Sequence, residues 1–196
     1  DKLEVKRYKI ASMTSAQKSQ SPESDKILCE EILSRNKETF ISTGLCDYNE
    51  FSFGNGNSNI KYLFCVAKYP TPLYDPELNK MPKSFSNNGY FGFSDHTLGI
   101  SAGIKSFING AKVIEKHFTL DRELPGPDQS TSLEPAELEF MVCSIRNIER
   151  ALGDGNKRPT SSELMNRLAV RKSLVASQSI RSGEILSAQN ITAKRP

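Results

Sequence analysis

The chain holds only two histidines, His96 in FSDHTLG and His117 in VIEKHFTL, each where an apolar run gives way to a loop. Parallel strands lie about 4.8 Å apart, so groups at the ends of adjacent strands can reach a single metal ion. Two imidazoles, with water and substrate oxygens completing the shell, make an open Lewis-acid site. The ends of the other apolar runs carry Lys9 and Ser12 in KIAS, Ser42 and Thr43 in ISTG, and Ser94 in FSDH. A lysine ringed by hydroxyls offers charge and directed donors, which is what a phosphate or carboxylate ligand needs. Taken singly, each residue also fits a bland role: a satisfied histidine, a turn serine, a lysine reaching to solvent. Two histidines at equivalent ends of successive strands shift the balance toward a site.

The elements that must position these residues read as alternating strands and crossovers. VKRYKIAS, TFISTG, IKYLFCVAKY, GYFGFSDH and KVIEKHFTL are the strand candidates. ILCEEILSRN, with Ile27, Leu28, Ile32 and Leu33 on one helical face and Ser21-Pro22 as its start, is the first helix. SAGIKSFINGA is a short helix before the fifth strand. A long helix opens at Glu134-Pro135, carries Leu138, Met141, Val142, Ile145, Ile148 and Leu152 at helical spacing, and closes at Gly153 and Gly155. Strand, crossover and strand in repetition predict parallel pairing and an α/β fold, in which chemistry sits at the C-terminal strand ends. LCDYNEFSFGNGNSN is too polar for a good crossover helix. NKRPTSSELMNRLAVRK reads as a polar, basic linker, and the last residues hold short β-like pieces around Ser182-Gly183.

Composition narrows the function classes. The 196 residues carry 26 basic and 23 acidic side chains, a mixed surface, and the aromatic residues are not interleaved with basic ones. That pattern speaks against nucleic-acid binding. No apolar run approaches the roughly 18–20 residues of a membrane span. Neither an initiator Met nor a signal-peptide core opens the chain. Four scattered cysteines (Cys29, Cys46, Cys65 and Cys143) are expected to be reduced, buried thiols of a cytoplasmic protein.

The ordered series YKIAS, FISTG, YPTP, GFSDHTLGI, VIEKHFTLD, PGPD, SLEP, RNIERALGDG, RKSLVA and KRP resembles the sialic acid (N-acetylneuraminate) synthase family, which includes legionaminate and pseudaminate synthases. The resemblance implies a (β/α)8 TIM barrel followed by a small antifreeze-like (SAF) domain, working as a domain-swapped homodimer. It implies condensation of phosphoenolpyruvate with an N-acetylated aldose such as N-acetylmannosamine, releasing phosphate and requiring Mn²⁺ or Mg²⁺. On this pattern His96 and His117 are the metal ligands. Lys9, Ser12, Ser42 and Ser94 hold phosphoenolpyruvate, while Tyr69 and Asp128 contact the sugar. Arg195 reaches the sugar in the partner subunit's site. The domains expected are the C-terminal part of the barrel at 1–152, a linker at 153–172 and the start of the SAF domain at 173–196.

Three departures accompany the resemblance. Thr14 stands where the family usually has a glutamate for acid/base chemistry, and threonine cannot shuttle a proton at neutral pH. Ala67 replaces a sugar-binding asparagine. KIAS corresponds to the fourth of eight strands, so the chain is expected to be an internal piece supplying about the last five strands. The alternative expectation is a non-catalytic remnant, inactive alone; an unrelated metal-dependent aldolase that uses pyruvate is a third.

Overall fold

The computed structural model describes residues 4–15, 23–47 and 57–195. The chain divides into two compact units, Asp1–Ala151 and Leu152–Pro196. In the first, β1 (Arg7–Ile10), β2 (Glu38–Ser42), β3 (Ile60–Cys65), β4 (Gly92–Asp95) and β5 (Val113–Lys116) form one parallel sheet in chain order. Parallel neighbours need crossover connections, and among the described residues two of the four carry α-helices. α1 (Ser12–Ser15) and α2 (Glu23–Ser34) lie between β1 and β2, and α3 (Ser101–Ile108) lies between β4 and β5. The connection from β3 to β4 runs instead through short 3₁₀ turns at Leu78–Lys80 and Ser86–Asn88. Most of the polar segment between β2 and β3 lies outside the described residues. After β5 comes α4 (Pro135–Ala151), the longest helix.

Register sorts the side chains onto two faces. Lys9 pairs with Phe40, and Cys65, Ser94 and Glu115 line up across β3, β4 and β5. One residue along each strand, Ile10 pairs with Ile41, and Phe64, Phe93 and Ile114 line up on the opposite face. Because strand side chains alternate, the first set shares an inner face and the second an outer, helix-covered face. Two apolar clusters fill the outer face. Leu78, Met81, Phe85, Phe93, Ala102 and Ala111 form one, with Phe64, Val66 and Tyr90 against it. Ile10, Cys29 and Ile41 form the other, joined by Ile32, Ile60 and Tyr62. Phe64 packs on Phe93 at 6.1 Å between ring centroids and meets Tyr90 edge-on at 5.6 Å.

The helix at 23–34 forms as its spacing predicts, but its buried face differs from the expected one. Cys29 and Ile32 face the sheet, while Ile27 and Leu28 are exposed. Cys29, at 1% exposure, takes the position nearest the strands, and its thiol donates to the Thr14 carbonyl. α4 buries Met141, leaves Leu138, Ile145 and Ile148 half-buried, and exposes Val142; Leu152, expected on the same face, follows the helix and is exposed. Gly153 and Gly155, both at positive φ, follow its end as expected.

In the second unit, the segment read as a linker contains α5 (Ser161–Val170). The Thr160 hydroxyl accepts from the Glu163 amide while the Glu163 carboxylate accepts from the Thr160 amide, a capping box that satisfies two otherwise unpaired donors. β6 (Ser173–Ala176) and β7 (Ile191–Lys194) then pair antiparallel. Buried Asn190 organises the turn between them, donating to Glu184 and the Ile185 carbonyl and accepting from the Ser187 amide.

Candidate functional site

The inner face at the C-terminal strand ends is polar. Glu115 is at its centre, two residues before His117 on β5, so period-two alternation puts both on this face. Its Oε2 accepts from Ser94 Oγ at 2.6 Å and from Ser42 Oγ at 3.4 Å, and lies 3.2 Å from Lys9 Nζ. Three donors from three strands thus converge on a single anionic oxygen. Lys9 also donates to the Ile10 carbonyl. Beside this group, Ser12 Oγ accepts from the Gly44 amide at 2.9 Å and donates to Cys65 Sγ at 3.5 Å. Burial raises the Cys65 thiol pKa, outweighing the hydrogen bonds and the Lys9 charge that favour ionisation, so it remains a neutral thiol at neutral pH.

The two histidines stand next to this cluster. Their ring centroids are 5.4 Å apart, and Tyr69 closes a triangle with them, 4.0 Å from His96 and 5.4 Å from His117. His96 Nδ1 lies 2.7 Å from the Val66 carbonyl, which can only accept. That contact assigns the proton to Nδ1 and leaves the Nε2 lone pair available. His117 Nδ1 lies 3.7 Å from Asp128 Oδ2, beyond hydrogen-bond range but within ion-pairing range when the imidazole is protonated. Partial burial, followed by the influence of Cys65, Asp128 and Glu115, raises the Tyr69 pKa, so it presents a neutral hydroxyl.

Backbone contacts fix these strand ends. His96 O accepts from the Thr71 amide at 2.8 Å, tying β4 to the Tyr69–Pro70 loop, and His117 O accepts from the Leu133 amide at 2.9 Å. The loop after Tyr69 is pinned by Asp75, which accepts from Lys68 Nζ at 3.1 Å and from the Glu77 amide. On the opposite face of the sheet, Asp95 and Lys116 make an ion pair of 3.0 Å with both side chains almost fully buried. Removing either partner alone would strand a buried charge, at a cost of about 3–5 kcal/mol.

Of the residues the sequence singles out, Lys9, Ser12, Ser42, Ser94, Tyr69, His96, His117 and Asp128 lie around this one strand-end face. Arg195 follows β7 in the second unit. Thr14 lies in α1 and is half-buried, and Ala67 lies beside Gly44, where an added Cβ on the glycine would come within 2.9 Å of it. Sequence reasoning missed Glu115; the signal available was its two-residue offset from His117 on a strand. Cys143 is exposed rather than buried, because it falls on the solvent side of α4.

The donor set fits a divalent ion bound by two imidazoles. Among the described residues no group of three or more His, Cys, Asp or Glu side chains is arranged to hold an ion. The remaining ligands of such an ion would therefore come from water and substrate.

A parallel α/β sheet with a polar strand-end face of lysine, hydroxyls, carboxylates and paired histidines is the arrangement of a (β/α) barrel, whose sites sit at that end. Residues 1–157 match the NeuB family, and the chain belongs to it. It is 42% identical to the N,N'-diacetyllegionaminic acid synthase of Campylobacter jejuni over 172 residues, covering 82% of this chain and 51% of that one. It is 35% identical to the pseudaminic acid synthase of the same species over 198 residues, covering 96% of this chain and 54% of that one. Among solved structures it resembles the N-acetylneuraminic acid synthetase of Leptospira borgpetersenii, crystallised with citrate. The TM-score is 0.67 at 28% identity, over 86% of this chain and 60% of that one. The five-stranded sheet is accordingly a half-barrel of the TIM-barrel type. The chain spans about half the length of the curated relatives it matches.

Proposed function

We propose that the site serves condensation of phosphoenolpyruvate with an N-acetylated aldose to a nonulosonic acid, with release of phosphate. The observation that carries this reading is the convergence of Lys9, Ser42 and Ser94 on one anionic oxygen beside the paired histidines. Lys9 and the serines would hold the carboxylate and phosphate of phosphoenolpyruvate by charge and directed hydroxyl donors. His96 and His117 would hold Mn²⁺ or Mg²⁺, which when bound polarises the aldehyde of the sugar. Tyr69 and Asp128 would orient the sugar hydroxyls. C3 of phosphoenolpyruvate attacks the aldehyde carbon and the carbonyl oxygen takes up a proton. Water adds at C2, and phosphate leaves by C–O cleavage to give the 2-keto acid. With Thr14 in place of the usual glutamate, Glu115, which meets Lys9, Ser42 and Ser94, is the carboxylate we assign to proton transfer. The same reading makes this a cytoplasmic protein whose second unit begins an SAF domain, with Arg195 serving the site of a domain-swapped partner.

Thr14 and Ala67 favour a second reading, a ligand-binding relative without turnover. Phosphate release from phosphoenolpyruvate with N-acetylmannosamine and Mn²⁺ separates the two. Synthase function predicts release that needs sugar and metal and falls at least a hundredfold in His96→Ala. Phosphoenolpyruvate binding to folded protein without release would leave the second reading.

A further inference from the structure

The geometry points to Asp95 and Lys116 as positioning residues that set the spacing of His96 and His117 from the opposite face of the sheet. This inference rests on the reading of the histidines as a metal pair. Asp95 and Lys116 are direct cross-strand partners in the register of β4 and β5, each immediately preceding a histidine. Asp95 Oδ2 accepts from Lys116 Nζ at 3.0 Å, while Asp95 Oδ1 accepts from the Thr97 amide at 2.8 Å. Lys116 Nζ also donates to the Thr97 carbonyl.

One ammonium group thus grips the strand on both sides of His96, through the carboxylate before it and the carbonyl after it. The backbone that carries this ammonium leads directly into His117. The lysine's interactions are therefore a brace between the two imidazole-bearing backbones, placed where alternation keeps it out of the ligand's way. The brace is sealed: the side chains are 4% and 0% exposed, and Gly103 of α3 brings its backbone close to the Asp95 carboxylate. An ideal Cβ at Gly103 would lie 3.5 Å from Asp95 Oδ2 and 3.4 Å from the sulfur of Met141. Water has little access to replace a lost partner, so β4 and β5 cannot shift their ends independently while the pair is intact.

The test uses the full chain, whose two histidines give only two sets of imidazole NMR signals. In the wild type, a nuclear Overhauser contact between the His96 and His117 rings and an upfield ring-current shift of His96 from Tyr69 report the spacing without any metal. Mn²⁺ affinity, measured by electron paramagnetic resonance, reports it with metal. The variants are Asp95→Asn, which keeps shape and the Thr97 contact, and Asp95→Leu/Lys116→Met, which removes both charges together. Ile41→Val in the other apolar cluster is the stability control.

The inter-histidine contact should be lost in both Asp95 variants and kept in the control, and Mn²⁺ affinity should fall about 10- to 100-fold in those variants. A folded Asp95 variant that keeps the contact and the affinity would overturn the brace. If wild-type protein binds no Mn²⁺ yet the contact depends on Asp95, the metal reading fails and the brace stands. If the double variant does not fold, Asp95→Asn alone decides.

Discussion

The two faces of one sheet are built from the same five strands and have opposite chemistry. On the outer face Ile10, Ile41, Phe64 and Phe93 pack under helices with no solvent-facing polar work to do. One residue along, Lys9, Ser42, Ser94 and Glu115 hold each other in a polar cluster. Stability is drawn mainly from the first face, and on the proposed reading the second supplies the groups that hold an anionic substrate. Asp95 and Lys116 are the exception, charged residues on the apolar face, and they lie directly behind the histidines.

Predictions that would break or sharpen this contrast run from the core outward. Phe93→Ala empties the centre of the larger apolar cluster and should cost about 3–5 kcal/mol in urea unfolding. A loss below about 1 kcal/mol would mean that the outer face is not what holds the sheet. Gly92→Ala is next. Its Cβ would press on the Val113 carbonyl and crowd Leu63, so strands β4 and β5 must part slightly, at about 1–3 kcal/mol. Unchanged melting would show that the inner face tolerates volume there.

Glu115→Gln tests the polar face with little effect on stability. It removes the negative charge that occupies the donors of Lys9, Ser42 and Ser94, so phosphoenolpyruvate should bind about tenfold tighter in calorimetry. Phosphate release should fall about a hundredfold in the same variant. Weaker binding instead would mean that Glu115 serves to aim Lys9 rather than to transfer a proton.

The smallest effect is on the thiols. Burial raises the pKa of both Cys29 and Cys65, so the folded chain keeps those protons longer than the unfolded one. Their contribution is fully present below the ordinary thiol pKa of about 8.5 and is lost as pH rises above it, so stability should decline on the alkaline side. At pH 8 exposed Cys143 should react with iodoacetamide first; equal labelling of Cys65 would contradict its burial.

Much of the fold is legible in the sequence. The five strands and the helix at 135–151 follow from apolar runs and breakers, and the family pattern points to eight residues that lie around one strand-end face. Where the reading failed, the cause was local ambiguity. Ile27 and Leu28 satisfy helical spacing as well as Cys29 and Ile32 do, and only the sheet decides which face is covered. The capping box at Thr160 and Glu163 was present in TSSE, but the polar composition around it masked the helix.

The sequence by itself determined the order of strands and crossovers, the polar residue types at strand ends and the family, because hydrophobic periodicity and motif spacing are local properties of the chain. Tertiary structure alone decided that Glu115 is the oxygen on which Lys9 and two serines meet. It also decided that Asp95 and Lys116 bind each other behind the histidines. Those contacts join residues 21 to 106 positions apart, and their geometry is set by the register of parallel strands, which no short window of sequence contains.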